Sequence, residues 1–324
     1  MKSKKIPLLA LYAPTACGKT ALCAELFGKS SLFFAEKAEI ISADSMAVYR
    51  ALDIGTAKPS AKERENLPYH LIDICEINEQ FGAGEFVQKA DIAAKEIAER
   101  KKVPVIAGGT GFYIKNFLLG LPPTPPSDPQ VRPRIKNRLS KIGAEQLHAE
   151  LAAVDSESAA KIHPNDAFRI CRALEVWEIS GKPRSAFALS GKIREQYEPC
   201  TIILTRNRAE LYERIDKRVD EMFLDGLAEE AAALLSAGHT ETDPGMQAIG
   251  YREFAKRWRG KIWEANELDE IRAEIKKNSR RYAKKQFTCM TTLPNAYVFD
   301  AEDKKEIIKK ISDFCDYALK ILDV

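Results

Sequence analysis

The feature that most constrains the fold is an apolar run that leads into a short loop ending in Gly-Lys-Thr. The run is Leu8–Tyr12, the loop is Ala13–Thr20, and residues 20–26 have the composition of a helix. A strand, such a loop and a helix form the context of a phosphate-binding loop. There, backbone N–H groups and a helix N-terminus surround a polyanion, Lys19 adds a charge, and the Thr20 hydroxyl can hold magnesium. The pattern predicts binding of a di- or triphosphate.

The loop departs from the usual motif at its first position, where Ala13 replaces a glycine. A methyl group there restricts the backbone and crowds the phosphate slightly. The alternative is an ordinary strand-to-helix turn, but such a turn does not need Gly, Lys and Thr in succession. The residues predicted to bind the phosphates are Ala13, Pro14, Thr15, Ala16, Cys17, Gly18, Lys19 and Thr20.

The composition is typical of a soluble intracellular enzyme. The 324 residues can bury a large core in more than one domain, and the net charge of +3 does not by itself indicate a polyanionic partner. Seven cysteines without paired spacing favour a reducing compartment over a disulfide framework or a zinc site. No apolar segment is long enough for a membrane span, and the basic residues 1–5 do not read as a secretion signal. We expect a cytoplasmic location.

Short apolar runs alternate with helical patterns through about residue 120, which predicts a parallel α/β sheet flanked by helices. The predicted strands are residues 8–12, 39–42, 70–74, 103–107 and 200–204. Ligands of open α/β sheets bind at the carboxyl ends of the strands. Asp44 and Thr110, which follow two of these strands, are therefore expected beside the phosphate loop.

A proline-rich segment at residues 121–129 interrupts this pattern, because proline fixes φ and lacks a backbone donor. The following pattern is helical to about residue 191, with helices predicted at 131–142, 144–153 and 166–180. We therefore expect an all-helical insertion domain in a P-loop NTPase-like core. The expected segments are residues 1–121 for the first part of the core, 122–196 for the insertion, and 197–324 for the second part of the core.

Long helices are predicted in the second part of the core, at residues 208–237, 267–287 and 304–322. The middle one carries a basic stretch interrupted by an aromatic residue, which suits a nucleic-acid phosphate backbone. A solvated helix face explains the same stretch equally well.

Several segments together resemble the tRNA dimethylallyltransferase family, also called IPP transferases. The most specific of them is Asp53-Ile54-Gly55-Thr56-Ala57-Lys58-Pro59. The resemblance covers nearly the whole chain in one order. The matching segments are residues 13–20, 41–50, 53–59, 70–73, 108–113, 163–166, 172–175 and 249–252, with Arg169.

The resemblance implies transfer of a dimethylallyl group from dimethylallyl diphosphate to N6 of the adenosine at tRNA position 37, beside the anticodon. The departing diphosphate collects negative charge, which the loop and a magnesium ion at Thr20 would stabilise. The exocyclic amine of adenine is a poor nucleophile, so a carboxylate that accepts its proton would assist attack. Asp44 is the candidate general base and Thr110 would orient it or the diphosphate. Arg218 matches a family arginine that faces the diphosphate.

The target base must leave its stack to reach an active site, and unpaired bases are recognised by hydrogen bonds and stacking. The resemblance implies tRNA contacts from five places in the chain, and the basic stretch of the helix at 267–287 adds a sixth. A monomer that encloses one anticodon stem-loop is adequate. The residues expected to contact tRNA are Asp44, Ser45, Met46, Ala47, Thr110, Arg132, Phe168, Arg169, Ile170, Cys171, Arg172, Gln247, Ala248, Ile249, Gly250, Tyr251, Arg252, Arg280, Arg281, Lys284 and Lys285.

The acidic and basic site candidates have structural alternatives. Asp44 could be a helix cap or an outer-shell magnesium ligand. Arg218 could pair with Asp216 or Glu221 along its own helix.

The arginines of the insertion have the same ambiguity. Arg169 and Arg172 lie three residues apart on one helix face, where they could form surface ion pairs with Asp166 and Glu175.

Three further positions depart from the family pattern. Cys17 replaces a serine, and a thiol is a weaker donor to the diphosphate than a hydroxyl. Ala47 stands where glutamine is common, and Cys289 where tryptophan is frequent. None of these changes removes a charge that the chemistry needs, so they bear on affinity rather than on the type of reaction.

Two other functions fit the phosphate loop. One is a kinase that binds ATP and acts on a small molecule or nucleoside, with Asp44 taking a proton from a hydroxyl. The other is a nucleotide-gated RNA-binding module in which Asp44 is dispensable. The string at residues 53–59 and the basic helix at 267–287 favour the prenyl transfer, because a kinase with a small acceptor needs neither.

Overall fold

The structure, a computed structural model, describes residues 5–187 and 191–323. The strands of the described chain form one sheet. They are β1 Ile6–Tyr12, β2 Ala38–Ser42, β3 Tyr69–His70, β4 Val103–Gly108, β5 Tyr197–Thr205 and β6 Ala296–Asp300. Their order is β3-β2-β4-β1-β5-β6, and each neighbouring pair is parallel. The predicted α/β class with a parallel sheet is confirmed.

Helices follow most of the strands, as right-handed crossovers between parallel strands require. They are α1 Lys19–Phe27, α2 Ala61–Asn66, α3 Ala83–Glu99, α4 Gly111–Leu119, α5 Val131–Val154, α6 Ser156–Lys161, α7 Ala167–Ser180, α8 Arg208–Leu224, α9 Leu227–Ser236, α10 Arg252–Ala255, α11 Ala265–Met290 and α12 Lys304–Asp323.

Helices cover both faces of the sheet, so its central strands are apolar along nearly their whole length. Alternate residues of β1 point to opposite faces. Leu9 and Leu11 pack with α1, α8 and α12, whereas Leu8 and Ala10 pack with α3 and α4. This double burial explains why the strands appear in the sequence as unbroken apolar runs.

The chain divides into two compact units, Met1–Leu118 with Ile193–Val324, and Leu119–Lys192. The sheet belongs to the first unit. In the second, α5, α6 and α7 enclose a small core of their own, which includes Ile135, Leu151 and Leu174. The described part of that unit contains no strand, as expected. Gly143, with φ 80°, interrupts α5 where the sequence pattern separates two helices.

Two predictions about local structure were wrong, and one strand was missed. The strand predicted at 70–74 ends at His70, because Leu71 and Asp73 have positive φ values of 63° and 55° that no strand continues. The helix predicted at 208–237 breaks at Gly226, whose φ is 97°. Strand β6 was not anticipated.

The basic residues 1–4, and residues 188–190 of the predicted insertion, lie outside the described residues. Across the remainder of the chain, no helix has both the length and the apolar character that a bilayer crossing demands.

Candidate active site

The phosphate loop, Asp44 and Thr110 meet at the carboxyl edge of the sheet. The loop follows β1, Asp44 follows β2 and Thr110 follows β4, and these three strands are neighbours. The Thr110 backbone N–H donates to the Ala43 carbonyl over 3.0 Å, and the Ser45 N–H donates to Thr110 Oγ1 over 3.1 Å. The sequence prediction that these segments lie together is confirmed.

Glycine allows two of these loops to approach closely. A Cβ on Gly108 would lie 2.0 Å from the Ala43 carbonyl oxygen, a distance that no side chain tolerates. The end of β4 can therefore reach the turn that carries Asp44 only because residue 108 has no side chain.

A cavity of about 860 Å³ opens at this edge. Its walls come from the phosphate loop, the β2 turn, the string at 53–59, and helices α8 and α11. Of the residues predicted for tRNA, those that line the cavity are Asp44, Ser45, Met46, Ala47, Gln247, Ala248, Ile249 and Arg252.

The phosphate loop has the geometry that its sequence predicts. Gly18 adopts a left-handed φ of 94° immediately before α1, so the first N–H groups of the helix face the loop. Lys19 lies at the helix start, and its Nζ donates to the Ala13 carbonyl over 3.4 Å. Ala13 is buried with φ outside the left-handed region, so its methyl group causes no backbone strain. Thr20 is exposed to the cavity.

The other departures from the family pattern are also accommodated. Burial raises the pKa of the Cys17 thiol to about 11, so the side chain stays neutral in the loop. Ala47 is buried in the cavity wall. Cys289 fills the space beside Gly111, where an added Cβ would lie 2.5 Å from its Sγ.

Two arginines of α8 hold the outer side of the loop. Arg214 Nε donates to the Ala16 carbonyl over 2.9 Å, and Arg218 Nη1 donates to Thr15 Oγ1 over 3.2 Å. The two arginines are four residues apart, so one helix face presents both to the loop. Arg214 was not among the predicted site residues, although its spacing from Arg218 is the signal that could have found it.

Lys19 and Arg218 bring two positive charges to the cavity. Among the described residues neither forms a salt bridge, and the carboxylates Asp216 and Glu221 pair with Arg280 and Lys217 instead. Desolvation lowers the pKa of both Lys19 and Arg218, and the Asp44 carboxylate partly opposes that shift. Desolvated, unpaired positive charges are costly. Their presence around a cavity indicates an anionic ligand.

Asp44 lines the cavity and uses one of its two carboxylate oxygens for the turn that follows β2. Its Oδ1 accepts from the Met46 N–H over 2.8 Å and from the Ala47 N–H over 3.3 Å. In the described chain, hydrogen bonds from the protein reach only this oxygen. The capping alternative is therefore present in the structure, and it leaves Oδ2 free to accept a proton.

Helix α11 supplies a wall that the sequence did not predict. The Tyr282 hydroxyl interacts with the side chains of Thr110 and Gln286, and burial together with the nearby Asp44 raises its pKa. Tyr282 and Gln286 are four residues apart and face the same way as the buried Ile275 and Met290. The helical spacing of these residues is visible in the sequence, but the basic residues between them indicate a role only for the opposite, exposed face of the helix.

The string at residues 53–59 supports the cavity by internal pairing. Lys58 is 2% exposed, and its Nζ lies 2.6 Å from both Asp53 Oδ1 and Asp73 Oδ1. Burial alone would raise the pKa of Asp73, but hydrogen bonds from Lys58 and Arg64 outweigh it and lower the value. The Gly55 N–H donates to the Tyr251 hydroxyl over 3.0 Å.

Two residues predicted to contact tRNA are enclosed in the protein. Tyr251 is 0% exposed and bonds Gly55 and Glu230. Ile170 is 0% exposed because the helical period places it, with Ala173 and Leu174, on the core face of α7. Both side chains pack inside the protein, and contact of these two positions with tRNA stays a prediction.

The other residues of the first unit that were predicted to contact tRNA differ in exposure and in whether their charge is paired. Arg280 Nη1 contacts both oxygens of Asp216, at 2.5 and 2.6 Å, so its charge is already paired. Arg281, Lys284 and Lys285 are exposed on α11. Gly250 is buried.

In the second unit the ion-pair alternative applies to both arginines of α7. Arg172 lies 2.7 Å from the buried Glu175 and donates to the Pro125 carbonyl over 2.6 Å, so it ties the proline-rich segment to the helix. Arg169 is exposed and lies 3.1 Å from Asp166. Cys171 is half-buried.

An aromatic residue of α7 is open to solvent beside a cation. Phe168 is 69% exposed, and Arg132 lies over its ring at 5.6 Å. An exposed ring with a stacked guanidinium suits an unpaired base.

Metal-binding groups are sparse. No cluster of three or more His, Cys, Asp or Glu side chains that could hold a metal occurs in the described residues. The Thr20 hydroxyl and the Asp44 carboxylate both line the cavity. Such oxygen donors, completed by substrate phosphates, are what Mg²⁺ accepts.

Fold and site together define a P-loop-type α/β protein whose phosphate cradle faces a carboxylate. Residues 47–292 match the IPP transferase family, and the chain belongs to that family. It is 42% identical over 288 residues to the tRNA dimethylallyltransferase of Geobacter metallireducens, and the alignment covers 89% of this chain and 90% of the relative. It is 40% identical over 307 residues to that of Syntrophobacter fumaroxidans, or 94% and 87% of the two chains.

Solved structures show the same likeness. The full-length tRNA isopentenylpyrophosphate transferase of Bacillus halodurans aligns over 98% of both chains, with 35% identity and a TM-score of 0.66. A eukaryotic dimethylallyltransferase acting on tRNA aligns over 95% of this chain and 77% of its own, with 25% identity and a TM-score of 0.77. The family resemblance read from the sequence motifs is confirmed.

The unpaired charge of Lys19 predicts a conflict between stability and binding. We expect Lys19→Met to raise the ligand-free free energy of unfolding by about 1–3 kcal/mol, because a desolvated ammonium is removed. The same change should weaken binding of dimethylallyl diphosphate about 10- to 100-fold, since a charged hydrogen bond is lost. Chemical denaturation and calorimetric titration measure the two effects.

The matched control is Lys95→Met, which removes an exposed lysine of α3. It should change neither quantity. A Lys19→Met protein that is less stable than the wild type would show that the ammonium is satisfied within the protein.

Proposed function

We propose that the protein transfers a dimethylallyl group from dimethylallyl diphosphate to N6 of the adenosine at tRNA position 37 and releases diphosphate. The observation that carries the proposal is the pair of unpaired cations, Lys19 and Arg218, in a cavity whose neighbouring strand end bears Asp44. Cations of this kind suit a polyanionic leaving group, and a carboxylate suits a proton donor such as an amine.

The residues divide the reaction between them. The bond between the allylic carbon and the diphosphate oxygen breaks, and negative charge accumulates on the diphosphate. The loop N–H groups, Lys19 and Arg218 stabilise that charge where it develops. The N6 lone pair forms the new bond to the allylic carbon, and the N6 proton passes to Asp44 Oδ2. Thr110 holds the Asp44 turn through Ser45.

Magnesium fits this arrangement at Thr20. The hydroxyl would hold the ion against the diphosphate, and the ion would supply further charge neutralisation to the leaving group. Lys19 and Arg218 approach the diphosphate from the loop and from α8, so the protein also provides charge of its own.

The second substrate is tRNA, presented through its anticodon stem-loop. The target adenine must be turned out of its stack to bring N6 near Asp44. Arg281, Lys284 and Lys285 carry exposed charge for the RNA backbone, and Phe168 with Arg132 offers a stacking surface. We propose a monomer that acts in the cytoplasm.

The relatives do not favour the kinase alternative. Those compared above are named tRNA dimethylallyltransferases or tRNA isopentenylpyrophosphate transferases. A loop that holds a diphosphate serves an isoprenoid donor as well as a nucleotide, because the cradle recognises the phosphates rather than what they carry.

The proposal is tested with purified protein, magnesium, unmodified tRNA and dimethylallyl diphosphate. We expect one adenosine per tRNA to gain the mass of a dimethylallyl group, located by nuclease mapping beside the anticodon. In parallel, calorimetry should show tighter binding of dimethylallyl diphosphate than of ATP. Consumption of ATP with no change in tRNA mass would instead establish a kinase.

The variant Asp44→Asn separates the structural role of Asp44 in its turn from its role as general base. Asparagine can still accept the Met46 and Ala47 N–H groups, so the loop should keep its shape, but a neutral amide cannot take the N6 proton. We expect kcat to fall about 10²- to 10⁴-fold, while the Kd for tRNA changes little. Single-turnover kinetics and filter binding measure these quantities, and a variant with wild-type turnover would remove Asp44 from the mechanism.

Lys284 and Lys285 test the predicted RNA surface. Replacing both by Ala should weaken tRNA binding and reduce the slope of log K against log salt by about 1 for each lost phosphate contact. The control is Lys309→Ala, which removes an exposed lysine of α12. An unchanged slope in the double variant would show that these lysines lie on a solvated helix face and do not contact the RNA backbone.

A further inference from the structure

One buried amide connects three parts of the candidate site. Gln286, 4% exposed on α11, accepts at Oε1 from the Thr15 N–H over 3.0 Å and donates from Nε2 to the Gly109 carbonyl over 2.8 Å. Its own carbonyl accepts from the Tyr12 hydroxyl over 2.8 Å. The side chain therefore spans the phosphate loop after β1 and the turn after β4.

The two backbone partners fix the orientation of this amide. Thr15 offers only a donor and Gly109 only an acceptor, so Oε1 must face the first and Nε2 the second. The fit is close, since a Cβ on Gly109 would lie 2.4 Å from Nε2. Among side chains of this length, only a neutral group with one acceptor and one donor satisfies both partners.

One of the two turns that Gln286 joins would bind the leaving diphosphate, and the other positions the base for the attacking amine. Thr15 belongs to the loop that would hold the leaving diphosphate and also bonds Arg218. Gly109 precedes Thr110, which holds the Asp44 turn through the Ser45 N–H. A change in the separation of these turns would alter the distance between the allylic carbon and the attacking amine.

We propose that Gln286 is a positioning residue that sets the spacing between the diphosphate loop and the β4 turn during prenyl transfer. The inference rests on the proposed function, because it gives Gln286 no contact with either substrate. A positioning defect lowers kcat more than it changes KM, since both substrates still bind but meet at the wrong distance.

The first test is Gln286→Met, which keeps the length of the side chain and removes its hydrogen bonds to Thr15 and Gly109 together with its interaction with Tyr282. We expect kcat to fall about 10- to 100-fold, with a much smaller change in the KM for dimethylallyl diphosphate. The matched control is Gln88→Met on the exposed face of α3, which should leave both constants unchanged. Thermal unfolding of both proteins verifies that they are folded at the assay temperature.

The second test, Gln286→Glu, has a readout that general destabilisation would not move. The ionised carboxylate would oppose the Gly109 carbonyl, whereas the protonated acid restores a donor to it. Burial raises the pKa of such a carboxyl, so the ratio of variant to wild-type kcat should rise as pH is lowered from 8 to 6. The titratable groups nearby, Tyr12, Tyr282, Cys289 and Asp44, are present in both proteins, so a pH-dependent ratio originates from the introduced carboxyl and its effect on them.

The outcomes separate this inference from the function on which it rests. Wild-type kcat in Gln286→Met, or a pH-independent ratio for Gln286→Glu, would overturn the positioning role while prenyl transfer by the wild type stands. A wild-type protein that forms no prenylated adenosine would overturn the proposed function, and this inference with it.

Discussion

The arrangement of the site depends on two positive charges that form no salt bridge with any of the described residues. Lys19 from the loop and Arg218 from α8 both line the cavity, and their burial lowers the pKa of each. A fold bears such a cost only where a ligand offsets it. The remaining contacts of the loop, from Arg214, Gln286 and the end of β4, hold the cradle in shape around these charges.

The strand order supplies the distance that prenyl transfer needs. The phosphate loop follows β1 and Asp44 follows β2, with β4 between them. Neighbouring strands are about 4.8 Å apart, so the ends of β1 and β2 are separated by roughly 10 Å. This gap accommodates a five-carbon chain between a diphosphate and an amine. Thr110, at the end of β4, lies in the middle of it.

What could be predicted from the sequence was determined by local pattern and topology. The loop, Asp44 and Thr110 follow from apolar runs with polar ends, since parallel strands bring their carboxyl ends together. Contacts between distant helix faces could not be read in this way. Tyr282 and Gln286 lie in a helix whose basic residues suggest a nucleic-acid contact or a solvated face but no cavity wall. Tyr251 lies in a family motif yet is buried. Strand β6 lies at the edge of the sheet and is partly exposed, and its short apolar run at residues 296–299 was not recognised as a strand.

The most specific family string illustrates how a motif can identify a reaction without performing it. Lys58 in that string donates to Asp53, Asp73 and the Tyr49 carbonyl. Its charge therefore stabilises the loop and is not available to bind a substrate. The loop it shapes is one wall of the cavity. The cradle, the carboxylate and this wall come from separate parts of the chain. The site forms only when the sheet, α8 and α11 pack together. The string at residues 53–59 is specific to the family because it stabilises this packing, whereas the residues that face the cavity carry out the chemistry.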